Sequence, residues 1–270
     1  MQTKFDFETY AMFKNKQLFN CTFKEYLNRD WLFLDSIDQK ESLYELLEKH
    51  KCLIIKPISG HCGQGVQCIK KEEVQRINHL IDDIKTGGQY LCEEKIENIK
   101  SLKQLNPTSL NTIRVNTFVD KEGNVHFLDF VLRVGGAGSI IDNLNGGGVA
   151  YHVNSIHGIV DQPGKNSNNE YFYYHPSTGI KMIGFEIPNF LELKDFLTKI
   201  AKVCPLARIV GWDVAITEKG FVLIEGNMGS GEDAMQLDGL GYYNFIKKTG
   251  NYENSNYWGI PRSIISLQES

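Results

Sequence analysis

Apolar residues recur at helical spacing through the opening of the chain, as Phe19, Phe23, Tyr26 and Leu27 and again as Leu43, Leu46 and Leu47 behind a start signal at Ser42. Residues 1–50 are therefore expected to be helical, too short for a domain and packed under the rest. From residue 51 the texture changes. Residues 52–56 form a short buried-strand run that ends at Pro57 and a glycine loop, and a second short strand follows at 66–69. A helix is predicted over 72–85, ended by Gly87 and Gly88, and another strand over 90–93. A helical link near 96–105 breaks at Asn106 and Pro107. Two strands at 112–119 and 125–133 flank the turn 120–124. A glycine-dense loop covers 134–148, and 161–181 reads as a polar surface excursion. A helix over 191–203 precedes a last hairpin of 210–217 with 221–225. The fold class is α+β, antiparallel hairpins with a few covering helices.

Several polar residues sit where that pattern makes them chemically conspicuous. Lys56 ends a buried strand, which is costly without an anionic partner, and Gly60, Gly63 and Gly65 follow it. Glycines there let backbone N–H groups form an anion nest suited to nucleotide phosphates; a hairpin turn with a lysine reaching solvent explains the same residues. The loop matches neither a Walker A sequence nor GxGxxG. In the last hairpin Glu225 and Asn227 are two apart, hence on one face of a strand, and Asp213 on the partner strand can face the same way. With no lysine or arginine nearby in sequence, this set calls for a cation, and hard oxygen donors suit Mg2+. An acidic edge on a solvated hairpin fits poorly, since Val214, Ile216, Val222, Leu223 and Ile224 mark these strands as core.

Thr112, Arg114, Asn116 and Phe118 share a face, and Arg133 closes the neighbouring strand. Their guanidiniums suit phosphate or carboxylate oxygens, or else pair with a carboxylate such as Asp129 or Asp142. Glu93, Glu94 and Glu97 lie at the hand-over between the two halves; on residues alone they read as a polar connector. The loop from Gly135 to Gly148 reads as a mobile substrate loop or as plain irregular structure. The histidines, His61 and His175 included, make no catalytic set.

Composition narrows the partners. The chain has 270 residues, 41% of them hydrophobic, and a formal net charge of −4 with scattered Lys and Arg, so there is no footprint for nucleic acid. Its six cysteines form no CxxC pair and are expected to be reduced and mostly buried, with neither structural zinc nor a disulfide framework. No signal-peptide run and no apolar stretch long enough to span a bilayer occurs, so a soluble, cytoplasmic protein is expected.

In order along the chain, Leu53-Ile54-Ile55-Lys56-Pro57, the glycine loop to Gly65-Val66, Tyr90-Leu91-Cys92-Glu93-Glu94, and Gly211-Trp212-Asp213 with Ile224-Glu225-Gly226-Asn227 resemble the ATP-grasp superfamily. Asn111-Thr112-Ile113-Arg114-Val115, Leu132-Arg133-Val134-Gly135, Asp142-Asn143 with Gly146-Gly147-Gly148, and His175-Pro176 resemble its sugar-transfer-associated group, with teichuronopeptide-biosynthesis proteins as neighbours. The resemblance spans about residues 50–240. It implies two lobes with antiparallel sheets and covering helices, and a nucleotide held between them. The small lobe would be 51–98 and the large lobe 99–270, after the helical segment 1–50. It also implies roles. Lys56 would touch the α-phosphate side of ATP under the loop of Gly60, Gly63 and Gly65. Glu93, Glu94 and Glu97 would line the adenine and ribose pocket. Arg114 or Arg133 would stabilise the transferred phosphoryl group, and Asp213, Glu225 and Asn227 would hold Mg2+. ATP-grasp ligases usually carry a further substrate-binding domain ahead of the first lobe, whereas residues 1–50 alone stand there here, which puts the substrate in question more than the ATP site.

The activity so implied is an ADP-forming carboxylate–amine ligase with an acyl-phosphate intermediate, joining an amino acid or amine to a sugar acid or similar carboxylate. Association with enzymes of surface-polysaccharide biosynthesis follows from the same resemblance. Phosphorylation of a hydroxyl acceptor, as in a small-molecule kinase, and a non-catalytic nucleotide-binding scaffold are the alternatives.

Overall fold

The structure, a computed structural model that describes residues 7–58, 64–139, 142 and 147–228, divides between Lys14 and Asn15 and again between Glu97 and Asn98. Residues 15–97 make one unit; those up to 14 join those from 98 onward in the other. The helical opening appears as α1 (Phe7–Lys14), α2 (Lys16–Thr22), α3 (Lys24–Leu27) and α4 (Lys40–His50). It is corrected at Trp31–Leu34, which forms strand β1. That run is four bulky apolar residues, too few to show a period. Asn28 in the left-handed region (φ 44°) ends α3 before it, and a Ser36–Gln39 capping box restarts helix after it.

In the 15–97 unit, β1 joins β2 (Cys52–Pro57), β3 (Gln67–Lys70) and β4 (Tyr90–Glu94) in an antiparallel sheet of order β1-β4-β2-β3. Leu53, Ile55, Ile69 and Cys92 meet Leu43 and Leu47 of α4 and the stripe Ile77, Leu80, Ile81 and Ile84 of α5 (Val74–Lys85). That stripe has the i, i+3, i+4, i+7 spacing of one helical face. The expectation of reduced, mostly buried thiols needs correction. Cys52 and Cys68, on adjacent strands with Cα atoms 6.7 Å apart, are joined as a disulfide. Of the other described cysteines, only Cys92 is buried. Hairpin pairing brings residues 16 apart in sequence within reach, which spacing alone does not reveal.

The other unit, after the short helix α6 (Lys100–Lys103), contains β5 (Thr112–Val119), β6 (Val125–Val134), β7 (Val149–His152), β8 (Gly164–Lys165), β9 (Tyr171–Phe172), β10 (Ile209–Thr217) and β11 (Gly220–Asn227). They form an antiparallel sheet of order β11-β10-β5-β6-β7-β8-β9. The excursion at 161–181 is thus partly sheet, since β8 and β9 extend its edge. Helix α7 (Phe190–Val203) packs on β5 and β6 through its buried stripe Phe190, Leu193, Leu197 and Ile200, with Phe190 against Phe130. Ile113 and Val115 of β5 lie across from Leu132 and Phe130 of β6 and from Val214 and Trp212 of β10, all buried on one face. Strand alternation turns the residues between them, Arg114, Arg133 and Asp213, to the opposite face.

A bulge delivers Glu225 to that polar face. Asp213 pairs with Glu225, but Val214 pairs with Leu223, so Ile224 is the extra residue of β11. The bulge lets Leu223 face the core while Glu225, two residues on, faces Asp213. Deleting Ile224 is expected to restore regular alternation with Leu223 still facing the core and Glu225 still facing Asp213. A fall in melting temperature of less than about 10 °C, at roughly 2–4 °C per kcal/mol for a domain of this size, is the expected outcome. Ile224→Val, at a half-buried site, is expected to cost at most about 1.5 kcal/mol.

Candidate functional site

Two buried ionic clusters stand out, one in each unit. In the 15–97 unit, Glu93 on β4 is only 2% exposed, yet it is charged. Arg29 reaches its Oε1 at 2.6 Å, Asn20 of α2 donates to the same oxygen at 3.3 Å, and Lys56 contacts Oε2. Burial alone would raise the Glu93 pKa, but Arg29 and Lys56 hold it down at about 2. Lys56 therefore has its anionic partner within the fold. Glu93 is thus held between Lys56 and Arg29. Glu94 instead accepts from the Asp30 backbone N–H at 3.2 Å and faces His50, and Glu97 is exposed. Gly65 needs to be glycine for a reason of its own: φ is +72°, and a Cβ would lie 2.8 Å from Pro57 Cγ. Gly60 and Gly63 lie outside the described residues, as do Asn143 and Gly146.

In the other unit, Arg114 of β5 lies directly across from Asp213 of β10. Its Nη2 donates to Asp213 Oδ2 at 2.7 Å and its Nε to Oδ1, while Arg133 Nη1 reaches Oδ2 at 3.0 Å. Arg133 Nη2 also meets Asp142 at 3.1 Å, and Asp142 accepts from the Thr112 N–H at 3.0 Å and from the Thr112 hydroxyl. Burial opposes the charge on Asp213, and the two guanidiniums nevertheless hold its pKa at about 2. Burial raises the pKa of Asp142, with Arg133 pulling against it. Asp213, Glu225 and Asn227 do share one face, Asp213 opposite Glu225 and Asn227 opposite Gly211. Asn227 donates to Glu225 Oε1 at 2.8 Å, and Arg114 Nη2 stands 4.0 Å from that oxygen. The sequence argument that only a bound cation could balance this set is corrected: both guanidiniums come from strands far off in sequence but adjacent in the sheet. Of the pairings weighed for the arginines, Asp142 is realised, whereas Asp129 accepts from Asn116 at 2.8 Å.

Sequence reasoning missed Arg29, Asn20 and the Asn98–Asn111–Asn106 set. Asn98 accepts from the Asn111 N–H at 2.7 Å, and Asn106 donates to the carbonyls of Gly135 and Gly136 at 2.7 and 2.8 Å. These amides pin the start of β5 and the end of β6, and so the rise of both arginines. Their sequence neighbours, among them Glu97, Lys100, Gln104, Thr108 and Ser109, are polar, so no signal along the chain set these asparagines apart. Among the described residues, the one group of three His, Cys, Asp or Glu side chains with metal-ligand spacing is Asp30, His50 and Glu94. There Asp30 already meets Lys49 at 2.5 Å and His50 at 2.6 Å, an ionic cross-link from α4 to the sheet.

A family model described as sugar-transfer associated ATP-grasp matches residues 3–251. The chain belongs to that family. For this ATP-grasp chain, comparison with curated proteins gives no match. Among solved structures it is similar to the biotin carboxylase domain of Hydrogenobacter thermophilus 2-oxoglutarate carboxylase (TM-score 0.57, 16% identity, 93% of this chain and 48% of that one). It is also similar to Campylobacter jejuni biotin carboxylase (TM-score 0.55, 12% identity, 91% and 48%). A third is D-alanyl-alanine synthetase A of Vibrio cholerae (TM-score 0.50, 13% identity, 80% and 55%). The ATP-grasp chain thus spans about half the length of these structures, and the likeness concerns the fold, two antiparallel sheets with covering helices. Among the described residues no helix is long and apolar enough to cross a membrane.

The lowered pKa of Glu93 fixes the sign of an acid dependence. Its ionisation favours the folded state fully above its ordinary value of 4.5, and that stability is lost as pH falls toward about 2. Glu93→Gln leaves Arg29 and Lys56 without their carboxylate and is expected to cost about 3–5 kcal/mol at pH 7. The gap between wild type and variant should narrow by pH 3, as read from urea unfolding at the two pH values.

Proposed function

We propose that the chain is an ATP- and Mg2+-dependent carboxylate–amine ligase that forms ADP by way of an acyl phosphate. The observation that carries this reading is the charged face of the seven-stranded sheet in a member of the ATP-grasp family. There two guanidiniums are held by buried carboxylates, with Glu225 and Asn227 beside them. Arg114 and Arg133 are fixed before any substrate arrives, so neutralising charge on a phosphoryl group costs them little reorganisation. Asp213, Glu225 and Asn227 offer two carboxylates and an amide oxygen, a donor set that fits Mg2+ with positions left for phosphate and water. The ion's part would be to neutralise phosphate charge. Lys56, held at the end of β2 by Glu93, is assigned to the α-phosphate side of ATP, with Gly65 in the loop that follows. Glu94 and Glu97 remain candidates for the adenine and ribose contacts. The sugar-transfer association in the family's description supports a sugar acid as the carboxylate, and the proposal adds an amino acid or amine as its partner and work alongside polysaccharide-biosynthesis enzymes in the cytoplasm.

The test is ADP release against a panel of uronic acids, amino acids and amines, with hydroxylamine present in parallel. A hydroxamate is expected, as an acyl phosphate requires. A stable phosphorylated product without free phosphate would instead mean a kinase. ATP binding without turnover on any acceptor would mean a scaffold. Arg133→Met is expected to lower kcat about 10³-fold, the scale of losing an arginine at a transferring phosphoryl group. Glu225→Gln, exposed and so tolerated by the fold, is expected to raise the Mg2+ concentration needed for half-maximal rate.

A further inference from the structure

We infer that His152, oriented by Asp161, is the group that takes the proton from the attacking amine, an assignment that rests on the ligase reading above. The sheet register puts it there. His152 of β7 lies opposite Val131, Val131 opposite Arg114, Arg114 opposite Asp213, and Asp213 opposite Glu225. Directly paired residues project from one face, so His152 shares the face and the transverse row of the charged cluster. Two strand spacings, about 10 Å, separate its backbone from that of Arg114, and it is the diagonal neighbour of Arg133 at about 7–8 Å. Both arginine side chains and an imidazole can thus reach a reacting group between them.

His152 Nδ1 meets Asp161 Oδ1 at 2.7 Å, and Asn154 donates to the other oxygen of Asp161 at 3.2 Å. A carboxylate so held on Nδ1 fixes the ring's orientation, which is the arrangement a proton acceptor needs. A merely structural pin would be redundant. The turn after β7 is already closed by Asn154, which accepts from the N–H groups of Ile156 and His157 at 3.0 and 3.1 Å, and by the Val153–Val160 bridge. Among the described residues, the charged groups around His152 include Asp161, Arg133 with its partners Asp142 and Asp213, Asp129 bound by Asn116, and Lys165 of β8 beside Ala150.

An aliphatic amine, like the side chain of lysine with a pKa of about 10.4, arrives at neutral pH as an ammonium ion. One proton passes to His152 Nε2, freeing the nitrogen lone pair. The lone pair forms the C–N bond to the acyl carbon, and the C–O bond to phosphate breaks with its electron pair. The second N–H proton leaves with the phosphate, and His152 returns its proton to solvent. Asp161 acts through His152 and is a positioning residue.

The test compares two nucleophiles on the same acyl phosphate, the amine substrate and hydroxylamine, which is already unprotonated at neutral pH. In His152→Gln the ratio of amide to hydroxamate formation should fall by about 10²-fold or more, the usual share of a general base. Raising the pH, which deprotonates the amine in solution, should restore it. Asp161→Asn should lower the same ratio less and shift its pH profile. An unchanged ratio in His152→Gln, including an equal loss of both products, overturns the assignment. Absence of hydroxamate in the wild type as well removes the ligase reading, and the role of His152 with it.

Discussion

Asp213 lies buried in a sheet whose opposite face is hydrocarbon, and an ion in that position is tolerable only with cations fixed beside it. Arg114 and Arg133 supply them from two successive strands, β5 and β6. The register of β10, β5 and β6 is therefore set twice, once by the apolar face under α7 and once by charge. A slip of one residue would carry both guanidiniums into the core and leave Asp213 alone. The same constraint that keeps the sheet in register holds two carboxylate-paired guanidiniums at one spot on its surface.

The 15–97 unit answers the same problem in the same way. Glu93 stands on the sheet face away from α4 and α5, where Arg29 and Lys56 converge on it, and Asn20 completes the set. Each unit thus fixes a cation array with buried carboxyl groups, Glu93 in one and Asp213 with Asp142 in the other. An immobile lysine or arginine loses less conformational entropy on meeting phosphate than a free one would, which is how such clusters favour binding as well as stability.

Strands with steady alternation or dense apolar runs, such as Thr112–Val119, were legible because one residue in two reports a face. Trp31–Leu34 was not, because four apolar residues carry no period, and pairing with β4 decided the matter. The bulge at Ile224 was invisible among Val222, Leu223 and Ile224, since each alone suits a core strand. The site residues were named from their types, but their partners were not, because Arg29 and Glu93 are 64 positions apart and Arg114 and Asp213 are 99. His152 looked isolated for a milder version of that reason: its carboxylate partner is nine residues on, across a turn.

The balance of charge on the seven-stranded sheet bears on what can bind there. Arg114 and Arg133 face Asp142 and Asp213, two cations against two carboxyl groups, before Glu225 is added. Such a face has little net attraction for a bare phosphate, and Glu225 would repel one. On the proposed reading a phosphate arriving with its own divalent cation would meet a different surface, because Glu225 and Asn227 offer oxygens to the metal while the guanidiniums would meet those of the phosphate. On that reading a preference for the metal complex over free nucleotide would follow from the acid–base pairing itself. The carboxylates that at first argued for a cation are balanced by arginine at rest, and on the ligase reading proposed above that balance would make the metal a requirement for the phosphate.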